Sequence, residues 1–330
     1  MKCIIAYVNL VFLISLLFIQ CNPQADWPVL EGPYLGQKPP GETPALFAPG
    51  IVSTGLDELN SIFSPDRKEF YFSVRNSSGA VSIFMIRMEN DVWSGPKLVP
   101  FASRFGDIDV TISPDGGKIF FSSKRPIPGE DTPKEDNDFW MAKRVGDTWG
   151  DPIYLGKEIN SDRDDYYPLM TNNGTIYFSS QREGPGTNNI YRSKLIDGKY
   201  TKAEKLGSAI NTEHREFDPY VSPDETLLIF SSSRPGGFGA DDLYISFKNK
   251  EGIWLKAKNM GNIINTSGSE YCPMITPDGK YLFFTSAGRE DRRIPDRPLT
   301  YIDFEIYHNS PKNRYSDIYW MDVSLIEKLK

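Results

Sequence analysis

The stretch VSPDETLLIFSS at residues 221–232 decides the fold, because the chain contains the same phrase five times. Each copy joins a Pro-Asp or Asn-Asn turn to an apolar, β-branched and aromatic run. Such a dipeptide favours a tight turn, and the run after it favours a strand. The other four copies are FSPDRKEFYFS (63–73), ISPDGGKIFFSS (112–123), MTNNGTIYFSS (170–180) and ITPDGKYLFFTS (275–286).

The copies follow one another at a nearly regular spacing. Between Pro65, Pro114, Asn172, Pro223 and Pro277 the steps are 49, 58, 51 and 54 residues, just above the length of a four-stranded propeller blade. Each repeat predicts one strand before the turn, one after it, and two more before the next copy. We therefore expect an all-β protein, a single β-propeller of four-stranded blades.

The ends of the repeat region predict how the ring closes. The last repeat lacks a fourth strand, because the chain stops soon after its third, Asp317–Val323. The segment Ala45–Ile51 precedes the first repeat and aligns with the fourth strands of the others, so we expect it to complete the last blade. This predicts five blades over residues 43–324, with a C-terminal tail at 325–330. A sixth blade within 287–315 is the alternative.

The N-terminus has the pattern of an export signal. One lysine precedes an apolar run over residues 3–19, which is short for a transmembrane helix. Cys21 follows the run, as in bacterial lipoprotein signals, although Gln20 stands where a small residue is usual. We expect a signal peptide over 1–20, lipidation of Cys21 and a Pro/Gly-rich tether over 21–42. The predicted location is the bacterial cell envelope; a plain cleaved signal or an uncleaved anchor is the alternative.

Composition restricts partners and cofactors. The 330 residues include 37 Lys and Arg against 44 Asp and Glu, a net charge of −7 with no basic stripe, so nucleic acid is not an expected partner. Three cysteines form no disulfide framework, and phosphate-loop, serine-elbow and zinc motifs do not occur. We expect no cofactor, no metal and no identifiable catalytic residue. Membrane contact is expected only through the lipid anchor, and the protein is expected to be a monomer.

The repeats resemble the TolB-like, or WD40-like, β-propeller repeat family. A Ser-Pro-Asp-Gly turn before an aromatic strand is the mark of that family, and RPGGFGADDLY at 234–244 is similar to its exported lipoprotein members. The third repeat departs from the pattern at Asn172 and Asn173, and the extra domain of TolB has no counterpart here. The resemblance implies an architecture over residues 43–324. It implies little about chemistry, because propellers carry scaffolds, sensors and enzymes alike.

An acidic residue stands seven positions before the turn anchor in every repeat. The five are Glu58, Asp107, Asp165, Glu216 and Glu270. Innermost propeller strands begin near one mouth of the channel, so a ring of carboxylates is predicted there. Such a ring suits a cation, a cationic ligand or acid/base chemistry on a sugar. The structural alternative is pairing with the arginines that follow the second strands, which are Arg75, Arg125, Arg182 and Arg234.

The same face is expected to carry the longest loops, 124–137 and 287–315. The second loop mixes arginines with aromatic residues in an otherwise acidic chain, and long loops on a rigid scaffold commonly carry recognition. We therefore predict a non-enzymatic binding or scaffold propeller that presents this face to an envelope protein, peptide or glycan. The alternative is a carbohydrate-active hydrolase or lyase that uses carboxylates at the channel mouth.

Overall fold

The computed structural model describes residues 27–288 and 296–330, whose antiparallel sheets form the five blades of a β-propeller. Before the first blade the chain forms β1 (Leu30–Glu31), a 3-10 turn (Tyr34–Gly36) and β2 (Ala45–Leu46). Blade 1 contains β3 (Asp57–Phe63), β4 (Glu69–Arg75), β5 (Val81–Glu89), β6 (Val92–Trp93) and β7 (Lys97–Leu98). Blade 2 contains β8 (Asp107–Ile112), β9 (Lys118–Ser123), β10 (Asp138–Val145), β11 (Thr148–Trp149) and β12 (Ile153–Tyr154).

The remaining three blades repeat this plan. Blade 3 contains β13 (Asp165–Met170), β14 (Ile176–Ser180), β15 (Asn189–Ser193), the hairpin β16 (Leu195–Ile196) and β17 (Lys199–Tyr200), and β18 (Glu204–Lys205). Blade 4 contains β19 (Glu216–Val221), β20 (Leu227–Ser232), β21 (Asp242–Phe247) and β22 (Lys258–Asn259). Blade 5 contains β23 (Ser269–Ile275), β24 (Tyr281–Ala287) and β25 (Ser316–Asp322). Helix α1 (Tyr301–His308) lies between β24 and β25, and helix α2 (Ser324–Leu329) follows β25.

The second strand of each blade is buried on both faces, since the neighbouring blades cover its sheet from either side. In β20 all six residues are buried, and Leu228, Ile229 and Phe230 are fully enclosed. A strand covered on both faces shows a continuous apolar run instead of alternation. Each such side chain contributes about 1.5–3 kcal/mol on burial, which explains the apolar run in the repeated phrase.

The ring closes between the two ends of the chain. The strand β2 pairs with β25 through Ala45 opposite Trp320 and Leu46 opposite Tyr319. Phe47 then inserts its buried ring among aromatic residues of blades 1 and 5, with the Phe283 ring centroid 4.8 Å away. Closure by an N-terminal strand and the five-blade count are therefore confirmed. Between β24 and β25 of blade 5, the described part of 287–315 contains helix α1 and no further strand.

The segments next to the propeller are more ordered than the sequence indicates. Within the expected tether, β1 pairs with β6, and the Tyr34 ring packs against Tyr281 and Trp320. The Tyr34 hydroxyl also donates a hydrogen bond to Asp278 at 2.6 Å. At the other end, residues expected as a tail form α2, which buries Ile326. Tyr34 thus holds the N-terminal segment against blade 5, and the buried Ile326 side chain anchors α2 to the propeller.

The predicted signal peptide and Cys21 lie outside the described residues. Among the helices that the structure does describe, none has the length and apolarity needed to cross a membrane.

Candidate functional site

The innermost strands β3, β8, β13, β19 and β23 contact one another in that order around the channel, and β23 contacts β3. Side chains on one face of a strand recur at every second position. A β-bulge shifts the register in the first half of each innermost strand. Each strand therefore carries an acid near its start, a bulged residue two positions later and two residues towards its end, which are both apolar except in β8, where Thr111 precedes Ile112. We call these the acid level, the bulge level and the apolar level.

At the acid level, the five carboxylates are almost completely buried, with no more than 1% exposure each. Each accepts hydrogen bonds from the backbone N–H and the hydroxyl of a Ser or Thr four residues earlier. The donor and acceptor pairs are Thr54–Glu58, Ser103–Asp107, Ser161–Asp165, Thr212–Glu216 and Thr266–Glu270. The acid thus fixes the connection that enters its blade. From the sequence, Ser161, Thr212 and Thr266 are expected only as loop caps, and their bonds to the acids are not predicted, although the spacing Ser/Thr-x-x-x-Asp/Glu is present in every repeat.

Three of the expected arginines reach the acid of their own blade. The guanidinium-to-carboxylate distances are 2.7 Å for Arg125–Asp107, 3.0 Å for Arg182–Asp165 and 3.0 Å for Arg234–Glu216. The Arg234 guanidinium also donates to the Ile210 carbonyl at 2.7 Å. These pairs lie within one sheet and do not bridge neighbouring blades, because the start of the first strand and the end of the second are adjacent.

Blade 1 departs from this arrangement, and Arg75 pairs with Asp57 at 2.9 Å instead of with Glu58. In blades 2 to 5 a serine lies opposite the acid, whereas Val74 lies opposite Glu58. Arg75 follows Val74 directly, one position earlier than its counterparts follow their serines, so its side chain leaves the strand on the other face. Among the described residues Glu58 has no ion pair. Burial raises the pKa of Glu58 to about 8, and the carboxylates of Asp317 and Asp57 act in the same direction.

In blade 5, Ser286 lies opposite Glu270 on the second strand. The Ser286 hydroxyl donates to Glu270 at 2.8 Å, in addition to the bonds from Thr266. The arginine that the sequence places near this blade, Arg289, lies outside the described residues.

At the bulge level, polar side chains close the channel. The members are Asn60, Asp109, Tyr167, Asp218 and Cys272, and the last four adopt positive φ angles between 49° and 59°. Asn60 donates from Nδ2 to the Val110 carbonyl at 2.8 Å, and the Tyr167 hydroxyl donates to the Pro273 carbonyl at 2.9 Å. These bonds join neighbouring or facing blades across the ring. The sequence gives no direct sign of this level, because a bulge is not visible in the alternation pattern.

Two carboxyls and the thiol at the bulge level are buried together. The Cys272 thiol donates to the Asp218 carboxylate at 3.2 Å. Burial raises the pKa of Asp218 to about 6, and burial with the nearby Asp218 charge raises the pKa of Asp109. Within residues 27–288 and 296–330, no three His, Cys, Asp or Glu side chains are placed to hold a metal ion.

Helix α1 presents apolar side chains to solvent on the loop-rich face. Exposure is 76% for Tyr301, 64% for Ile302, 60% for Phe304 and 62% for Ile306, and no residue of the helix is buried. We call these four side chains the α1 patch. A capping box between Thr300 and Asp303 begins the helix. Arg297 pairs with Asp303 at 2.7 Å and holds the approach to the helix.

The connection that carries α1 reaches across to blade 1. Asn313 donates from Nδ2 to the Gly55 carbonyl at 2.9 Å, and the Ser316 N–H donates to Asp57 at 3.1 Å. Contact is so close that a Cβ atom at Gly55 would lie 2.6 Å from the Asn309 Cα atom. A cavity of about 510 Å³ lies between the end of α1 and blade 1, and Thr54, which binds Glu58, is part of its wall.

Solved structures similar to this one include two TolB proteins and a gluconolactonase. TolB from Acinetobacter baumannii is 14% identical with a TM-score of 0.45, over 80% of this chain and 54% of that one. A TolB candidate from Agrobacterium tumefaciens is 17% identical with a TM-score of 0.48, over 83% and 99% of the two chains. The Xanthomonas campestris gluconolactonase XC5397 is 13% identical with a TM-score of 0.43, over 79% and 95%. The chain thus spans about half the length of the Acinetobacter protein.

No protein-family model and no curated protein matches the sequence. The five-blade β-propeller predicted from the repeats is confirmed by the arrangement of the sheets. These likenesses concern the fold, and they do not identify a ligand for this chain.

Proposed function

We propose that this chain is a non-enzymatic binding propeller of the bacterial cell envelope, and that its loop-rich face holds a protein or peptide. The observation that carries the proposal is the exposed α1 patch. A soluble protein rarely keeps a large apolar patch in water unless the patch is an interaction site. The connection after the helix contacts blade 1 through Asn309 and Asn313, so a rigid ring supports the patch, which is the usual placement of recognition residues.

The burial of the acid level favours binding over hydrolysis. A glycosidase needs two carboxyls that reach the scissile bond, about 5–9.5 Å apart. Here each mouth carboxylate is buried and accepts hydrogen bonds from its own Ser or Thr, and three of them also pair with arginine. Among the described residues Glu58 has no ion pair, and its side chain does not line the cavity beside α1. None of the five acid-level carboxylates is therefore accessible as the acid or base that the hydrolase alternative needs.

A patch variant tests the binding proposal. Tyr301→Ser with Phe304→Ser removes two exposed rings and should leave the melting temperature unchanged, since neither ring packs in the core. The matched control is Ile196→Ser, which removes an exposed apolar side chain from the β16–β17 hairpin, away from the loop-rich face. Envelope proteins captured by the wild-type chain are identified, purified and titrated against the three proteins.

We expect the patch variant to bind at least about tenfold more weakly, equivalent to about 1.4 kcal/mol, with the control unchanged. Equal affinity of the patch variant and the wild type would contradict the proposal. Cleavage of envelope glycans that is lost in Glu58→Gln would favour the hydrolase instead.

The envelope location rests on the sequence at Cys21. A lipid chain on this cysteine would anchor the propeller through the following Pro/Gly-rich segment. Cell fractionation of the wild type and Cys21→Ser tests this: the wild type should sediment with membranes, and the variant should not. A variant that still sediments and still incorporates labelled lipid would contradict lipidation at this site.

A further inference from the structure

A large apolar cavity opens on the face opposite to α1, where the Pro-Asp turns lie. Its volume is about 950 Å³, within the upper range of small-molecule sites. We call it the turn-face cavity. Its inner wall is the apolar level of the five innermost strands, with members Ile62, Ile112, Leu169, Tyr220 and Met274. Because every blade contributes, this part is a cup centred on the channel.

The bulge level lies further along the innermost strands, and none of its five side chains lines the cavity. Asn60 and Tyr167, which lie two positions before their apolar neighbours along the strands, bond to the backbone of other blades. An occupant of the cup therefore meets mainly apolar side chains. It does not reach the acid level or the α1 patch.

On one side the cavity continues outward as a groove between blade 4 and helix α2. Phe247 and Leu255 line one wall of the groove, and Val323 and Ile326 line the other. The Lys258 ammonium donates to the Leu329 carbonyl at 2.9 Å, which ties helix α2 to blade 4 at the edge of the groove. A cup that continues into an apolar groove is complementary in shape to a long, narrow ligand.

The outer end of the cavity carries more positive than negative charge. Four lysines line the cavity, Lys248, Lys256, Lys258 and Lys330, against the two acids Asp224 and Glu327, and Glu225 beside Lys248 reduces the excess to one positive charge. Lys248 already pairs with Glu225 at 2.7 Å, and Lys330 pairs with Glu327. Lys256 is exposed and has no ion pair within residues 27–288 and 296–330. This local excess of positive charge occurs in a chain whose net charge is −7.

From these features we infer that the turn-face cavity binds a fatty acid, with its hydrocarbon chain in the groove and cup and its carboxylate near Lys256. The apolar walls favour burial of an unbranched chain, since each buried methylene contributes about 0.8 kcal/mol. The lysines favour an anionic head over a neutral one. This inference is independent of the proposed function, because it concerns the opposite face of the ring.

Titration calorimetry with laurate tests the inference, with dodecyl maltoside as a ligand of the same chain and an uncharged head, and acetate as the head alone. We expect laurate to bind and both comparison ligands to bind at least about tenfold more weakly. Absence of laurate binding, or equal binding of dodecyl maltoside, would overturn the inference.

Two pairs of variants place the ligand in the cavity. Leu255→Glu puts a charge in the groove, and Ile253→Glu is its control, since Ile253 is 61% exposed and lies outside the cavity. Lys256→Glu reverses the charge near the expected head, and Lys97→Glu is its control on blade 1. All four positions are exposed, so the variants should fold, and circular dichroism checks this.

Both cavity variants should bind laurate about tenfold more weakly than their controls. If either pair binds equally, the ligand lies elsewhere and the assignment is wrong. Tyr301→Ser with Phe304→Ser should bind laurate like the wild type, which separates this site from the loop-rich face.

Discussion

Glu58 and Glu216 occupy equivalent positions in their blades. We nevertheless expect the same substitution to have opposite effects on stability at these two positions. Glu58→Gln should stabilise the protein at alkaline pH, whereas Glu216→Gln should destabilise it. The pKa of Glu58 rises from 4.5 to about 8 because the carboxyl is buried without a cation partner in the described structure. Glu216 instead accepts from Arg234 at 3.0 Å, and its side chain is fully buried.

The magnitude for Glu58 follows from linkage between protonation and folding. A folded pKa above the unfolded value contributes stability that is fully present below about pH 4.5 and is lost as the pH rises through about 8. At about 1.4 kcal/mol per pKa unit, this shift changes the free energy of unfolding by about 5 kcal/mol across the whole pH window. About 3 kcal/mol of this stabilisation is lost by pH 7. Glutamine resembles the protonated acid and accepts the same bond from the Thr54 N–H. Glu58→Gln should therefore match the wild type near pH 5 and exceed its stability by about 2–5 kcal/mol near pH 9.

Glu216→Gln removes the charge partner of a guanidinium whose side chain is only 13% exposed. Breaking one side of a buried pair costs about 3–5 kcal/mol, because the remaining charge is left without compensation. Urea unfolding monitored by tryptophan fluorescence at several pH values gives both free energies. A Glu58→Gln variant that is less stable than the wild type near both pH 5 and pH 9 would refute the account. So would a wild-type stability that stays constant between these values.

Three further predictions concern the ring itself. Asn211→Ala should lower the free energy of unfolding by about 2–3 kcal/mol in urea, because the buried amide bonds to both backbone groups of Ile190; a loss below about 0.5 kcal/mol would contradict this. Phe47→Ala should cost about 3–5 kcal/mol in the same assay, since this ring joins blades 1 and 5, and a near-neutral effect would mean that the closing segment adds little. The Cys272 thiol should resist thiol reagents in the native protein and react after unfolding, because it is buried and burial raises its pKa; peptide mapping that finds rapid native labelling would contradict its placement.

The fold was predictable because its determinants are local. Each Pro-Asp turn and the apolar run after it specify two strands of a blade, and the short last repeat indicates that Ala45–Leu46 completes blade 5. The acids were also identified from spacing alone. Their burial was not, since the position of a residue in a repeat does not say whether its side chain faces solvent or a neighbouring connection.

Single-residue shifts account for much of what the sequence did not show. Arg75 looks equivalent to Arg125 in a list of repeats, but it lies one position closer to its strand and therefore reaches Asp57. The bulge level has the same origin. One extra residue in each innermost strand turns Asp109 and Asp218 towards the centre of the ring. The alternation of polar and apolar residues in the sequence does not show where such an extra residue lies.

Features present in every blade and features present in one blade call for different explanations. The Ser/Thr–acid bond occurs five times, and an asymmetric partner would not require five equivalent copies, so architecture explains it best. The departures gather where blade 5 meets blade 1: Val74 replaces a serine, Arg75 changes partner, and the connection with α1 crosses over Gly55. The other blades form without these departures, so the repeated fold does not require them. The same junction carries the α1 patch. A binding partner therefore explains the departures at this junction better than the fold does.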